Sequence, residues 1–169
     1  AGDEHGFRVA RMPTCSVDGD RVSSTRVRHA LSEGDLDQAA RLLGRPYTIC
    51  GRVVEGERLG RTIGYPTANI RLHHRATPLR GVLLVAVRGL GGGARYGVAS
   101  LGTRPTVNGE GVLLEVFLLD WEGDLYGRHL QVEFVHFLRP EWRFDSVDAL
   151  RAQIDRDVEQ SRALLAAGT

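Results

Sequence analysis

The sequence of 169 residues is 42% hydrophobic and 25% charged, which is the composition of an ordinary globular domain with one core. Its formal net charge of +1 and the lack of an apolar run of about 20 residues argue against nucleic acid or a membrane as a partner, so we expect a soluble, cytoplasmic protein. All 22 basic residues are arginine, which excludes a Walker-type phosphate loop and a Schiff-base enzyme, since both need a lysine amine.

The first predicted elements are two short helices that follow an irregular, polar N-terminal stretch. Ser23 or Ser24 can cap the first helix, which ends at Gly34. Asp35 can cap the second helix, which ends at Gly44. The pair is too small to bury much surface, so we expect it to pack on the rest of the chain. A nucleic-acid-reading role for these helices is disfavoured, because the chain is nearly neutral and has no lysine.

Five β-rich runs follow, separated by glycine, proline, asparagine and aspartate. The runs are residues 47–54, 81–90, 95–102, 112–120 and 130–138. Short strands at this spacing, without helices between them, are typical of a small antiparallel barrel or sandwich.

The last predicted element is a long C-terminal helix. Ser146 supplies its N-cap signal. Apolar residues then recur every three to four positions, at Val147, Leu150, Ile154, Val158 and residues 163–165. Such a stripe indicates a helix that packs one apolar face on a neighbour, here the barrel.

A first candidate site is the segment Gly60–Ile70, with the sequence GRTIGYPTANI. Thr67 and Asn69 are two residues apart, so an extended backbone would place both side chains on one side. Hydroxyl and amide oxygens are suitable ligands for a hard cation such as Mg²⁺. The segment could therefore hold a metal ion.

The same segment has features of a phosphate-binding backbone. Gly60 and Gly64 permit a close approach to phosphate, and Pro66 fixes the chain before the oxygen ligands. Arg61 lies between the glycines and could neutralise phosphate charge. The alternative is an ordinary strand start after a Pro-Thr turn, and the spacing alone leaves both interpretations open.

A second candidate is Glu115, which lies in the apolar run 112–120. Leu113 and Phe117 would share its side of a strand, and a charge in such surroundings costs several kcal/mol unless it is partnered or protonated. Burial should raise the pKa of Glu115 towards the range of a general base. A structural ion pair with one of the arginines is the alternative.

A third candidate is Leu101–Gly111, which holds an Arg-Pro-Thr sequence near glycines. It has the character of a mobile loop over a site or of a long hairpin connection.

Five motifs occur in an order that resembles riboflavin kinases: GRTIGYPTANI, SLGTRPTV, LEVFLLDWEGDLYG, VEFVHFLRPEWRFDS and LRAQIDRDV. The chain is most similar to the C-terminal kinase module of the bifunctional riboflavin kinase/FAD synthetase, from about residue 45 to 162. The resemblance implies a mainly β fold, a six-stranded antiparallel Greek-key barrel with a long C-terminal helix and a short N-terminal helical segment. Residues 46–166 would form the kinase domain.

The resemblance also implies a reaction. The γ-phosphate of ATP would pass to the 5′-hydroxyl of riboflavin and give FMN and ADP, with Mg²⁺ as cofactor. Glu115 would be the catalytic base, and Thr67 and Asn69 would hold the metal and the ATP phosphates.

Further residues are assigned by the same resemblance. The segment that covers the nucleotide would include Gly60, Arg61, Gly64 and Pro66. The flavin-side candidates are Arg104, Thr106 and Phe144. Where the family usually has a histidine two residues after the base, this chain has Phe117, which puts a second titrating group in doubt. The alternative function is a non-catalytic flavin-binding β-barrel, which would need no oxygen ligands beside a glycine-rich segment.

Residues 1–45 resemble the end of an FMN adenylyltransferase domain and the linker after it. In that domain Ser23, Ser24, Thr25 and Arg28 would belong to the adenylyltransferase site. The domain's nucleotide-binding strand-loop-helix does not occur in this sequence. We therefore expect a kinase that is normally fused to an N-terminal FMN adenylyltransferase domain, and no adenylyltransferase activity from this chain.

Overall fold

The computed structural model of the chain describes residues 5–6, 8, 10, 13–56, 59–72, 77–106 and 109–168, without the side chains of residues 59, 61, 104–106 and 109–110. The strands are β1 (Ser16–Val17), β2 (Asp20–Arg21), β3 (Thr48–Val54), β4 (Ala68–Leu72), β5 (Gly81–Arg88), β6 (Arg95–Thr106), β7 (Gly109–Leu118) and β8 (His129–Arg139). The helices are α1 (Ser24–Ser32), α2 (Leu36–Leu43), α3 (Leu59–Thr62) and α4 (Val147–Ala166).

Six of the strands close into an antiparallel barrel in the order β3-β4-β7-β6-β5-β8, with β8 paired again to β3. Strands β5, β6 and β7 are neighbours in sequence and in space, and β8 returns to lie beside β5, which is the Greek-key arrangement. The predicted six-stranded barrel is confirmed. The five β-rich runs correspond to β3, β5, β6, β7 and β8, and the sixth strand, β4, begins inside the Pro-Thr-Ala-Asn sequence.

Alternation along the strands gives the barrel an inner and an outer face. On β7, Leu114, Val116 and Leu118 belong to the buried core, whereas Glu115 and Phe117 between them are only half-buried. Strand β5 is apolar on both faces and is buried from its first residue to Val87. Part of the outer face is therefore covered, and this cover shapes the candidate site.

The helices begin where the sequence predicts. The side chains of Ser23, Asp35 and Ser146 each accept a hydrogen bond from the backbone N–H three residues later, at 3.3, 2.9 and 3.1 Å. Gly44 ends α2 in the left-handed conformation, with φ of 70°. No helix among the described residues is both long enough and apolar enough to span a membrane.

Within its described residues, the N-terminal stretch that was predicted to be irregular contains a hairpin. Strands β1 and β2 form a hairpin around Asp18 and Gly19, whose φ angles are 55° and 82°. Two consecutive positive φ values match the twist of a two-residue hairpin turn, which Asp-Gly favours. The turn was readable from the sequence, but strands of two residues give no periodic signal.

The apolar stripe predicted for α4 is half-buried along most of its length, and a polar row on the same helix is buried more deeply. Val147 is 55% exposed, and the residues buried on this helix are the polar Gln153, Asp157 and Ser161. They recur every four positions, so they lie on one face. The reason is Arg139 at the end of β8, a buried cation that contacts Asp157 and requires a counter-charge. Helix α4 thus packs on the barrel through hydrogen bonds as well as apolar contacts.

Candidate active site

A cavity of about 350 Å³ lies between the outer face of the barrel, α4 and the segment that joins β8 to α4. Its volume is within the range of small-molecule sites, which are mostly apolar with a few placed polar groups. Polar residues in its lining include Thr67, Ser100, Glu115, Arg139 and Asp157.

Strand register explains why residues distant in sequence meet in this cavity. Asn69 is the pairing partner of Glu115, and Glu115 is in turn opposite Ser100. Ser100 is opposite Val82, and Val82 is opposite Arg139. Side chains of directly paired residues share a face, so these five residues form one row around the outer face. At about 4.8 Å per strand, Glu115 and Arg139 are about 14 Å apart along the row.

The glycines near Thr67 and Asn69 are required by close packing. A Cβ atom added to Gly60 would lie 2.3 Å from the Tyr65 carbonyl oxygen and 3.2 Å from Thr67 Oγ1. A Cβ atom added to Gly56 would lie within 2.9 Å of three atoms of the Asn69 carboxamide. The backbone at these two glycines therefore lies directly against the two oxygen-bearing side chains.

Gly64 has a different role. Nothing lies within 4 Å of a Cβ atom added there, but its φ of 89° is in the left-handed region that glycine favours. Pro66 next to this turn is exposed. Neither residue is part of the cavity lining. Gly64 thus shapes the turn, and any contact of Gly64 or Pro66 with a nucleotide stays a prediction.

The donor set for a metal consists of neutral oxygens. The described residues include no group of three or more His, Cys, Asp or Glu that could hold a metal ion. Thr67 and Asn69 offer one hydroxyl and one amide oxygen, which suit a hard cation but neutralise none of its charge. They fit a cation that arrives with anionic oxygens from another molecule, such as a polyphosphate.

Another part of the cavity lining is aromatic. Of its residues, only Phe144 was predicted from the sequence as a site residue. The Arg139 guanidinium lies over two rings, with its carbon 4.8 Å from the Trp142 ring centroid and 5.8 Å from that of Phe144. We call these two rings the aromatic wall. Arg139 is held by Asp157 of α4. An arginine directly after an apolar strand run, followed by a tryptophan three residues later, was the available signal.

Tyr65 connects the Gly60–Ile70 segment to α4. Its hydroxyl donates a hydrogen bond to the Asp155 carboxylate, and this bond, followed by burial and the Asp155 charge, raises the pKa of Tyr65. The Tyr65 ring meets Phe117 edge-on, with 5.0 Å between the centroids and 79° between the planes. Phe117, at the position where the resemblance led us to expect a histidine, therefore serves as an apolar support for Tyr65.

The structure brings several of the predicted site residues together. Gly60, Thr67, Glu115 and Phe144 line one cavity. Asn69 is the strand partner of Glu115 and is buried beneath Gly56. The catalytic and binding roles assigned to these residues remain predictions.

The segment Leu101–Gly111 is a hairpin over its described part. Strand β6 continues to Thr106 and pairs with β7 up to its first residue, Gly109. The hairpin alternative, rather than the loop, fits these residues. The side chains of Arg61, Arg104 and Thr106 lie outside the described residues, so their predicted contacts stay predictions.

Solved structures share this architecture. The riboflavin kinase from Trypanosoma brucei aligns with a TM-score of 0.54 and 26% identity over 73% of this chain and 82% of that one. A Streptococcus pneumoniae protein described as a macrolide-efflux protein aligns with a TM-score of 0.78 and 38% identity, over 89% of this chain and 50% of that one. The fold is thus one that a riboflavin kinase uses.

Sequence comparison gives the family. The family model described as "Flavokinase: Riboflavin kinase" matches residues 43–165. The bifunctional riboflavin kinase/FMN adenylyltransferase of Haemophilus influenzae is 48% identical over 163 residues, which is 96% of this chain and 53% of that protein. The chain belongs to the riboflavin kinase family. It spans about half the length of the curated relatives it matches.

Proposed function

We propose that the chain transfers the γ-phosphate of ATP to the 5′-hydroxyl of riboflavin and releases FMN and ADP. One observation carries this proposal: Glu115 lines the same cavity as Thr67 and is the strand partner of Asn69. Glu115 offers a carboxylate that can accept a proton, and Thr67 and Asn69 offer two oxygens suited to a metal-bound phosphate. All three side chains are thus within reach of one bound pair of substrates.

The chemistry requires few groups from the protein. The Glu115 carboxylate accepts the proton of the 5′-hydroxyl as the hydroxyl oxygen bonds to the γ-phosphorus of ATP, and the bond from that phosphorus to the ADP oxygen breaks. The remaining contribution is to hold the two substrates in line, which can supply about 7–11 kcal/mol of the barrier. Val82 and Val98, which are buried and line the cavity, would limit the access of water that competes with the alcohol.

Phosphate charge must be neutralised without lysine. Thr67 and Asn69 would hold Mg²⁺ together with the ATP phosphates, and the ion would neutralise part of the phosphate charge. Gly60 keeps the backbone close to Thr67, and Arg61 would add a positive charge. Gly64 and Pro66 would shape the turn that covers the nucleotide.

The flavin would lie towards the aromatic wall. Glu115 and Arg139 are about 14 Å apart along the row on the outer face, a distance that follows from the spacing between strands. The planar ring system would then lie against Trp142 and Phe144, with the ribityl chain directed towards the base. Arg104 and Thr106 of β6 would contribute to the flavin side from the hairpin.

The chain would be part of a longer protein. Its relatives are about twice its length and are named bifunctional riboflavin kinase/FMN adenylyltransferases. We assign residues 46–166 to the kinase domain and residues 1–45 to the end of an FMN adenylyltransferase domain and its linker.

The test is product formation by the isolated chain. We expect riboflavin and Mg-ATP to give FMN and ADP in equal amounts, resolved by chromatography, and chelation of Mg²⁺ to stop the reaction. Thr67→Ala should raise the KM for ATP, whereas Thr48→Ala, which removes a hydroxyl bonded to the Pro46 carbonyl outside the cavity, should not. Flavin binding without any FMN would instead support the non-catalytic flavin-binding barrel.

A further inference from the structure

Arg139 and Asp157 form a buried ion pair that the reaction described above does not use. Arg139 is 9% exposed and Asp157 is 2% exposed. Arg139 Nε donates to both Asp157 oxygens, at 2.9 and 3.1 Å, and Nη2 donates to Oδ2 at 2.7 Å. Gln153 Nε2 donates a further hydrogen bond to Asp157 Oδ1 at 3.0 Å. The guanidinium plane therefore has a fixed orientation.

The fixed guanidinium lies against the aromatic wall. The wall belongs to residues 140–146, a stretch without helix or strand. Trp142 is 52% exposed, so burial contributes little to holding its ring. Its contact with the guanidinium, 4.8 Å from carbon to ring centroid, is a cation–π interaction, which holds a ring over a charge. The guanidinium is thus a contact that can hold the Trp142 ring in position.

We propose that the Arg139–Asp157 pair is a positioning unit for riboflavin, which orients Trp142 and Phe144 so that the flavin ring can stack on them. This inference rests on the proposed function. Arg139 lies about 14 Å from Glu115 along the strand row and touches no reacting atom. Loss of the pair should therefore weaken riboflavin binding and leave the phosphate-transfer step and ATP binding intact.

Helix α4 carries a second ion pair that serves as a matched control. Arg162 donates to Asp120 at 2.9 and 2.6 Å. Both residues are exposed and neither lines the cavity. Asp120→Asn therefore weakens an attachment of the same helix without disturbing the aromatic wall. It shows whether a general loosening of α4 is enough to weaken riboflavin binding.

The experiment compares four variants with the unmodified chain in steady-state FMN synthesis. Arg139→Met/Asp157→Leu replaces the pair with apolar residues, a change that buried ion pairs often tolerate. We expect it to raise the KM for riboflavin about tenfold, which is the effect of losing one aromatic stacking contact. Trp142→Ala should raise this KM by a similar factor. The triple variant, which combines Trp142→Ala with the double substitution, should have no higher KM for riboflavin than the double variant, because both changes remove the same contact. Asp120→Asn should change neither KM.

The outcomes separate the inference from the proposed function. A folded double variant with an unchanged KM for riboflavin, or with equal increases in both KM values, would overturn the inference. If the double variant does not melt cooperatively, Arg139→Lys takes its place as the test, because lysine keeps the charge but lacks the planar guanidinium. An unchanged KM for riboflavin in Arg139→Lys would also overturn the inference. If the unmodified chain makes no FMN, the proposed function fails. Riboflavin binding by the same variants, measured by flavin fluorescence, then decides the inference alone.

Discussion

Gly60→Ala tests whether the glycine-rich segment is built for close contact with Thr67. The added Cβ would lie 2.3 Å from the Tyr65 carbonyl oxygen, so one of the two must move by about 1 Å to restore an ordinary contact. The carbonyl cannot retreat freely, because the N–H of Tyr65 donates a hydrogen bond to the Gly60 carbonyl at 2.8 Å. The displacement should therefore reach Thr67.

The expected size follows from this geometry. Overpacking of this kind costs about 1–3 kcal/mol of stability, and a misplacement of about 1 Å in a positioning group can cost about 10²-fold in rate. We predict that Gly60→Ala still melts cooperatively but loses about 10²-fold in kcat/KM for ATP in the FMN assay. Gly93→Ala is the control, since nothing lies within 4 Å of a Cβ atom there. If both variants keep kcat/KM within about twofold of the unmodified chain, the segment does not depend on this contact, and the reasoning from the glycine is refuted.

Three further predictions concern stability. Leu114→Ala removes a fully buried side chain from the barrel core and should lower the free energy of unfolding by about 2–5 kcal/mol in urea titrations; a loss near zero would place Leu114 outside the core. Asp35→Ala removes the α2 cap and should cost about 1 kcal/mol in the same titration, and no change would mean that the cap is dispensable. The pKa of Tyr65 is raised above 10.0 because its protonated hydroxyl donates to Asp155. The stabilisation from this bond is therefore present below pH 10 and is lost as the pH rises through the folded-state pKa. In thermal melts from about pH 8 to 11, the difference in Tm between the unmodified chain and Tyr65→Phe should become smaller as the pH rises. A constant difference in Tm would contradict this.

Local chemistry explains which elements could be predicted from the sequence. The helix starts at Ser23, Asp35 and Ser146 depend on a side chain and an N–H three residues away, so a short window contains the whole signal. The strands that appear as apolar runs are likewise predicted from residues that are close together in the sequence. Glu115 stood out for a similar reason, as a single charge among apolar neighbours.

The features that were missed depend on partners far along the chain. Strand β4 starts in a polar segment rich in turn formers, and it is a strand because β3 and β7 pair with it on both sides. The buried face of α4 is polar because Asp157 meets Arg139, 18 residues earlier. Helical periodicity cannot report such a pair, since it assumes that the buried face is apolar. The aromatic wall, in a segment without regular structure, gives no periodic signal at all.

The turnover of Glu115→Gln at saturating riboflavin and Mg-ATP tests the central claim most directly. The substitution keeps the size of the side chain and removes its ability to take a proton. We predict that kcat falls by more than about 10²-fold, the usual contribution of a general base, while both KM values change little. Glu133→Gln, on β8 and outside the cavity lining, should keep normal kcat. Normal turnover by Glu115→Gln would show that this carboxylate is structural and would contradict the proposed mechanism.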